Sequence, residues 1–192
     1  MSRGRAGQYV VDRVLISEEE IAERVAQIGA AITADYEGRS PVLVTVLRGG
    51  LFFLCDLCRY VELPLTLDFM AISKYAGGAG GAVRIIKDLD DPIEGAPVIV
   101  VEDIIDTGLT LNYILTVLRQ RKPASLEVCA LLDKDVRRIV DLPVAYRGFS
   151  VPDRFLVGYG LDLDDRLRNL PYVATVREEV VTPEPSLVKR GF

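Results

Sequence analysis

The sequence predicts an α/β fold with a mainly parallel, twisted sheet flanked by helices. Short apolar runs rich in β-branched residues alternate with helical segments along the chain, as in βαβ units with right-handed crossovers. The length of 192 residues suits one domain, and the 49% hydrophobic and 27% charged residues are typical of a globular protein. We therefore expect a single domain over residues 1–192.

A helix is predicted to follow Ser17, because Ser17-Glu18-Glu19-Glu20 has the pattern of a capping box. Apolar residues then recur at helical spacing on one face until Gly38 and Pro41 interrupt them: Ile21, Val25, Ile28 and Ile32. Residues 42–47 form a short apolar run of the kind found in strands covered on both faces. This part of the chain is therefore predicted to be a helix followed by a buried strand.

Helices and strands continue to alternate through the middle of the chain. We expect helices from residue 51 and over about residues 110–120, and strands at residues 65–71, 83–86, 98–101 and 126–132. Prolines make the segment after residue 144 more irregular, so it is predicted to form a layer or flap beside the sheet. Residues 181–192 are predicted to be a loosely held tail.

The charge balance argues against several classes of function. A net charge of −5 gives no general attraction to nucleic acid or to an anionic membrane, because such binding depends on basic residues. No run approaches the roughly 20 apolar residues of a membrane helix, and no signal-peptide segment follows Met1. We therefore expect a cytoplasmic protein that binds neither nucleic acid nor membrane.

The chain has no His and three Cys, which limits the available chemistry. The absence of His excludes Ser-His-Asp and Cys-His mechanisms and most catalytic zinc sites. Cys55-Asp56-Leu57-Cys58 has no second thiol pair to complete a zinc site, so reduced structural thiols are favoured, with a redox role as the alternative. Catalysis must therefore use carboxylates, Lys, Arg, Tyr, hydroxyls or backbone amides.

The end of the predicted strand at residues 98–101 carries the strongest functional signal. It runs into Glu102-Asp103-Ile104-Ile105-Asp106-Thr107-Gly108-Leu109-Thr110, and ligands bind at the carboxyl ends of strands in open parallel sheets. Thr107, Gly108 and Thr110 can let backbone amides converge at a helix N-terminus. Such a cradle suits a monophosphate.

The acidic residues of this segment point to the rest of the ligand. Glu102 and Asp103 would repel a phosphate, so we expect them to meet hydroxyl groups or a cation. A phosphorylated sugar offers both a phosphate and hydroxyls. The alternative is a plain turn between strand and helix, in which Asp106 and Thr110 only cap the helix.

Two further strand ends carry weaker signals. In Arg48-Gly49-Gly50 the glycines let the backbone approach a ligand and Arg48 offers a charge to an anion, although a tight turn is the commoner role of such glycines. Leu131-Leu132-Asp133-Lys134 places a Lys at the end of a buried strand, where a solvated Lys is the ordinary interpretation. We expect these two strand ends to lie beside the end of the strand at residues 98–101, and this position favours one shared site.

Four motifs together resemble the purine phosphoribosyltransferases of the hypoxanthine-guanine type. The segment from Val100 to Thr110 is similar to that family's phosphoribosyl-pyrophosphate motif, and the supporting matches are Val46-Leu47-Arg48-Gly49-Gly50, Leu131-Leu132-Asp133-Lys134 and the run from Gly148 to Asp162. The resemblance covers about residues 10–176. It implies the type I phosphoribosyltransferase fold, with a core at about residues 35–140 and a small hood built from about residues 1–16 and 144–180.

The resemblance implies a site for 5-phosphoribosyl 1-pyrophosphate and Mg²⁺. Glu102 and Asp103 would hold the ribose hydroxyls and a magnesium ion, and Asp162 would bind a second magnesium at the pyrophosphate. The 5'-phosphate would bind the segment formed by Asp106, Thr107, Gly108, Leu109 and Thr110. The pyrophosphate would meet Arg48, Gly49 and Arg168.

The resemblance also implies a purine pocket with one catalytic carboxylate. Lys134 would donate to the 6-oxo group, Phe155 would stack on the ring, and Leu156 and Asp162 would complete the base site. Asp106 would lie near N7 and act in proton transfer. Adenine should be a poor substrate, because Lys134 cannot satisfy an exocyclic amine and an unpaired buried polar group is costly.

A lid and a cis peptide bond belong to the same family pattern. The lid would be residues 73–81, including Lys74 and Tyr75, and the cis bond would join Leu47 to Arg48. The family usually has Ser-Tyr at the lid position and Lys at position 48, so this chain departs from the pattern twice. A simple flexible connection is the alternative for the Gly-rich lid segment.

The implied activity is purine salvage: hypoxanthine and/or guanine plus 5-phosphoribosyl 1-pyrophosphate would give IMP and/or GMP and pyrophosphate. A family member that uses xanthine or a pyrimidine is one alternative. The other is a nucleotide-sensing regulator on the same scaffold that binds RNA or a protein. The resemblance also implies a homo-oligomer, either a dimer or a tetramer.

Overall fold

A computed structural model of the chain describes residues 11–74 and 83–177. Tyr75 of the predicted lid and the predicted tail at residues 181–192 lie outside these ranges, as do residues 1–10 of the predicted hood. The elements, in chain order, are β1 (Val11–Ile16), α1 (Glu18–Asp35), β2 (Val42–Leu47), α2 (Gly50–Leu57), β3 (Thr66–Lys74), β4 (Val83–Lys87), β5 (Pro97–Ile105), α3 (Leu109–Arg119), β6 (Ser125–Asp133), a short 3₁₀ turn (Asp135–Arg137), β7 (Tyr146–Ser150), β8 (Leu156–Val157) and β9 (Val173–Val176).

The central sheet has six strands in the order β4-β3-β2-β5-β6-β7. Adjacent strands from β3 to β7 pair in parallel, and β4 joins the β3 edge in antiparallel orientation. β2, β5 and β6 lie next to one another, so their carboxyl ends reach the same edge of the sheet. The predicted α/β fold with a mainly parallel sheet is confirmed.

β5 is buried on both faces, as its apolar run predicts. Ile99 and Val101 belong to a core cluster with α1 and α2, whereas Val98 and Val100 belong to a second cluster with α3. Successive side chains of a strand point to opposite faces, so the two clusters lie on opposite sides of the sheet. The helices therefore cover both faces.

Helix α1 begins at the predicted capping box and buries the predicted apolar face. Ser17 caps α1 through the predicted box: its hydroxyl accepts from the Glu20 amide at 3.2 Å, and the Glu20 carboxylate accepts from the Ser17 amide at 2.7 Å. The predicted apolar stripe of α1 is its buried face. Within residues 11–74 and 83–177, every helix is too short or too polar to cross a bilayer.

A second, three-stranded antiparallel sheet combines the two ends of the described chain. Its order is β1-β9-β8, with β1 paired to β9 over Val11 to Ile16. β7, by contrast, pairs in parallel with β6 and extends the central sheet, although residue 146 onward was expected in the flap. Pairing with β6 decides this placement. Gly148 packs so closely on Leu131 that a Cβ added to Gly148 would lie 2.2 Å from the Leu131 carbonyl oxygen.

Candidate active site

A cleft of about 1410 Å³ opens where the carboxyl ends of β5 and β6 meet. Its lining comes from residues in the ranges 102–111, 134–137, 153–156 and 161–162, and from Asp12 of β1 and Val176 and Arg177 at the end of β9. Ile105 and Asp133, the last residues of the two strands, are register partners. The edge predicted from the sequence therefore carries a cleft large enough for a nucleotide-sized ligand.

The turn after β5 presents the N-terminus of α3 to this cleft. Gly108 has a φ of +80° and precedes the first residue of α3, Leu109. This left-handed conformation favours glycine, because it costs a residue with a Cβ more. The Thr107 carbonyl accepts from the Ile139 amide at 3.0 Å, which fixes the turn from the other side. The predicted phosphate cradle is thus a fixed turn at a helix N-terminus.

Glu102 and Asp103 lie inside β5, because the strand continues to Ile105 rather than ending at Val101 as the sequence suggested. Burial raises the pKa of Glu102 well above its ordinary value, and the neighbouring Asp103 charge adds to the rise. Burial also raises the pKa of Asp103, against the opposing effect of backbone amides and Arg168. A cation or hydroxyl groups at this pair would relieve the cost of burying the charges.

The acidic pair fits a magnesium ion that takes most of its ligands from elsewhere. Carboxylate oxygens are the donors that Mg²⁺ prefers, and such ions are commonly held by one or two carboxylates plus substrate phosphates and water. The described residues contain no group of three or more acidic, Cys or His side chains that could hold a metal alone. Substrate oxygens would therefore have to complete the coordination.

The loop after β2 packs tightly against Asp103 of the acidic pair. A Cβ added to Gly49 would lie 1.7 Å from the Asp103 Oδ2 atom, and one added to Gly160 would lie 2.4 Å from the Gly49 carbonyl oxygen. The Leu47–Arg48 peptide bond is cis, as predicted. Gly49 and Arg48 do not line the cleft themselves, but Gly49 touches the carboxylate that stands beside it.

Arg168 and Asp162 form an ion pair of 2.6 Å near the same loop. The Nη1 atom of Arg168 donates to the Gly160 carbonyl at 2.7 Å. Asp165 links this pair to Arg48, whose Nη1 lies 3.0 Å from the Asp165 carboxylate. The predicted pyrophosphate residues are therefore brought together in one charged network.

Lys134 occupies the first position after β6, and only 9% of it is exposed. Its amide donates to the Ile105 carbonyl at 2.9 Å, so the backbone is tied to the end of β5. Its ammonium lies 4.0 Å from the Asp106 carboxylate. Phe155 is 43% exposed at the cleft, and Leu156 begins β8 as a buried residue.

Asp133 anchors the chain immediately before Lys134. Its carboxylate is fully buried and forms ion pairs with Arg138 at 2.5 Å and with Arg147 at 2.9 Å. Burial raises the pKa of Asp133, while the hydrogen bond from Arg138 opposes the rise. Two cations from different segments therefore fix the backbone that carries Lys134.

Arg137 and Asp153 are among the charged residues of the cleft that sequence reasoning missed. Arg137 Nε lies 3.2 Å from Asp106, and its Nη1 lies 3.1 Å from Asp153. The hydrogen bond to Asp153 and the charge of Asp106 raise the pKa of Arg137. The spacing of three residues between Lys134 and Arg137 was the available signal, since residues three apart on a helical turn share a face.

Comparison with known proteins identifies the family. The profile described as "Phosphoribosyl transferase domain" matches residues 15–164. The chain belongs to the phosphoribosyltransferase family. The matched region includes the end of β5, the turn at the N-terminus of α3 and Lys134 after β6, all of which line the cleft.

Named relatives place this phosphoribosyltransferase more narrowly. It is 50% identical over 167 residues to the hypoxanthine phosphoribosyltransferase of Salmonella typhimurium, covering 85% of this chain and 94% of the relative. It is 44% identical to the hypoxanthine-guanine phosphoribosyltransferase of Bacillus subtilis, covering 90% and 97% respectively. A crystal structure of a hypoxanthine phosphoribosyltransferase from Staphylococcus aureus matches with a TM-score of 0.86 at 43% identity, over 90% of this chain and 95% of that one. The resemblance stated from the motifs is confirmed.

Proposed function

We propose that this phosphoribosyltransferase converts hypoxanthine and/or guanine and 5-phosphoribosyl 1-pyrophosphate to IMP and/or GMP and pyrophosphate. The names of the similar proteins support the reaction class. The observation that carries the choice of base is the buried Lys134 ammonium, held 4.0 Å from Asp106 in the same cleft as the N-terminus of α3. A cleft with a fixed cation at one place and a phosphate cradle at another suits a 6-oxopurine nucleotide, whose 6-oxygen and 5'-phosphate lie at opposite ends.

The segment after β5 binds the phosphoribosyl group. Backbone amides and hydroxyls of the turn at residues 106–110 hold the 5'-phosphate, where the helix dipole of α3 favours negative charge. Glu102 and Asp103 accept hydrogen bonds from the ribose hydroxyls. Arg48, Gly49 and Arg168 stand next to this group and bind the pyrophosphate, whose charge the two guanidinium groups offset.

Magnesium fits this half of the site. Glu102, Asp103 and Asp162 would hold Mg²⁺, which when bound offsets the negative charge that grows on the departing pyrophosphate. The raised pKa values of Glu102 and Asp103 support this role, because desolvation disfavours their ionised forms and a nearby cation favours them. Removal of the ion should weaken substrate binding.

The base binds between Lys134 and Phe155. The Lys134 ammonium donates to the 6-oxygen, the Phe155 ring stacks on the purine, and the backbone at Leu156 together with Asp162 contacts the remaining edge. Adenine carries an amine at this position. The Lys134 ammonium and this amine are both donors, so they cannot form a hydrogen bond with each other. This mismatch disfavours adenine.

Asp106 moves the proton in the transfer step. As N9 of the base bonds to C1 of the ribose and the bond from C1 to the pyrophosphate oxygen breaks, the proton on N7 passes to the Asp106 carboxylate. Water must stay away from the cation-like sugar in this step. We assign that task to the segment 73–81, including Lys74 and Tyr75, most of which lies outside the described residues.

A parallel assay of five bases tests the proposal. Magnesium 5-phosphoribosyl 1-pyrophosphate is mixed with hypoxanthine, guanine, xanthine, adenine or uracil, and nucleotide formation is followed by chromatography. We expect conversion of hypoxanthine or guanine with adenine inert. Conversion of adenine or uracil alone would contradict the assignment, and inactivity toward all five would favour the regulator on the same scaffold.

A second measurement addresses the regulator and the assembly. Titration of a mixed RNA pool at low salt should show no binding, since the chain carries a net charge of −5. Salt-dependent RNA binding would instead support a regulatory role. Light scattering on the same sample should give a dimer or a tetramer.

A further inference from the structure

Four charged side chains form a ring on the base side of the cleft. The two cations, Lys134 and Arg137, alternate with the two carboxylates, Asp106 and Asp153, and each cation lies within 4.0 Å of both carboxylates. The members come from three separate segments: the turn after β5, the turn after β6 and the loop before β8. Only Asp106 and Lys134 have a role in the reaction as proposed so far.

The Lys134 ammonium is loosely paired although it is buried. Its distances to Asp106 and Asp153 are 4.0 and 3.9 Å, which exceed hydrogen-bond length. A buried cation needs nearby negative charge, because desolvation otherwise disfavours it. The two carboxylates supply that charge without accepting from the ammonium, so its donors stay available to a ligand.

Arg137 keeps the two carboxylates at that distance. It binds Asp106 at 3.2 Å and Asp153 at 3.1 Å, so each carboxylate is engaged more closely by Arg137 than by Lys134. Without Arg137, both carboxylates could close on the ammonium and take its donors. Without the Asp153 charge, Lys134 would be drawn toward Asp106 alone.

We propose that Asp153 and Arg137 are positioning residues: they hold the Lys134 ammonium where it donates to the 6-oxygen and so set the preference for 6-oxopurines over 6-aminopurines. This inference rests on the proposed function. It assigns no proton transfer to either residue. It predicts that their loss affects recognition of the base and leaves binding of the sugar phosphate intact.

Asp153→Asn is the first test, because the side chain is half-exposed and its loss should not unfold the protein. Steady-state kinetics should show a KM for hypoxanthine raised about tenfold, the effect of one weakened hydrogen bond. The KM for 5-phosphoribosyl 1-pyrophosphate and kcat should stay within about twofold, and the hypoxanthine-to-adenine ratio of kcat/KM should fall about tenfold. Asp153→Glu should recover most of the loss.

Arg137→Gln is the second variant, and it should raise the KM for hypoxanthine in the same way. The double variant should be no worse than the more impaired single variant, because both changes disturb one ring. The exposed pair of Asp88 and Arg121, at 2.7 Å, gives matched controls outside the cleft. Asp88→Asn and Arg121→Gln should leave all kinetic constants unchanged.

Two results would overturn the inference in different ways. An active wild-type enzyme whose Asp153→Asn and Arg137→Gln variants keep the KM for hypoxanthine within twofold would refute the ring's role and leave the proposed function standing. An equal rise in the KM for the sugar phosphate would indicate general damage to the cleft and would also refute it. A wild-type protein that converts no 6-oxopurine would refute the proposed function, and this inference with it.

Discussion

The two halves of the cleft are built in different ways. The half proposed to bind the sugar phosphate (the phosphoribosyl half) comes mainly from one continuous segment, residues 102–110, in which a strand end, a turn and a helix start follow one another. The half proposed to bind the purine (the base half) is assembled from three separate pieces of chain that carry Asp106, Lys134 with Arg137, and Asp153 with Phe155. The first half is therefore encoded locally, and the second exists only in the folded chain.

Their electrostatics differ as well. In the phosphoribosyl half, burial raises the pKa of both Glu102 and Asp103, so negative charge is held there at a cost to folding. In the base half, two carboxylates and two cations balance one another within 4.0 Å. One half therefore holds carboxylates whose charge burial disfavours, as expected of a site that receives a cation with its substrate, whereas the other already contains its counter-charges.

Asp106 joins the two halves, so Asp106→Asn should have the largest effect. We expect kcat to fall about 10²- to 10³-fold, the usual contribution of a positioned acid or base, with little change in the affinity for 5-phosphoribosyl 1-pyrophosphate. Single-turnover kinetics and equilibrium binding separate the two quantities. Asp91→Asn, an exposed carboxylate before β5, is the control. An unchanged kcat would remove Asp106 from proton transfer.

Lys134→Gln should damage the base half alone. We expect kcat/KM for hypoxanthine to fall about 10²-fold, because the 6-oxygen loses a charged donor and the ring keeps two carboxylates with one cation. Discrimination against adenine should weaken in the same variant. Lys122→Gln, at an exposed turn, is the matched control. Equal losses for hypoxanthine and adenine would show that Lys134 does not read position 6.

Gly49→Ala should damage the phosphoribosyl half alone. The new Cβ would lie 1.7 Å from Asp103 Oδ2, so the carboxylate or the loop must move. We expect the KM for 5-phosphoribosyl 1-pyrophosphate to rise about tenfold, while the KM for hypoxanthine stays within about twofold. If both constants rose together, the two halves could not be treated as separable.

The smallest expected effect is a change in the stability of the Glu102→Gln variant. Burial raises the pKa of Glu102, so the unfolded chain loses this proton at lower pH than the folded protein does. Ionisation therefore costs folding stability as the pH rises through the range between the two pKa values. Because Gln resembles the protonated form, we expect Tm to rise by about 2–4 °C at pH 8 in metal-free buffer and to match the wild type near pH 4. A lower Tm at pH 8 would contradict the burial cost.

Much of the fold and of the phosphoribosyl half could be predicted from the sequence. A capping box, an apolar stripe and a β-branched run each act over fewer than about 20 residues, so α1 and the buried part of β5 were identified. The end of β5 was placed too early, because Glu102 and Asp103 interrupt the apolar run, although Glu102 and Ile104 still pair with β6. The residue pattern of one segment does not show which strand will pair with it, so it does not show where the pairing ends.

Long-range pairing accounts for the remaining differences. β7 contains Arg147 and Gly148 and shows little strand pattern, yet contact with β6 places it in the central sheet. Arg137 and Asp153 are 16 residues apart in the chain, and only the packing of the loop before β8 against the turn after β6 brings them together. The residue roles in the cleft remain predictions.

The most direct test of the account is a crystal structure with bound IMP. We expect the 5'-phosphate on the amides of residues 107–110, the purine against Phe155, and the 6-oxygen about 3 Å from the Lys134 Nζ atom. That result would assign each end of the nucleotide to its half of the cleft. A phosphate bound away from the N-terminus of α3, or a 6-oxygen held by another group while Lys134 stays beside its carboxylates, would contradict it.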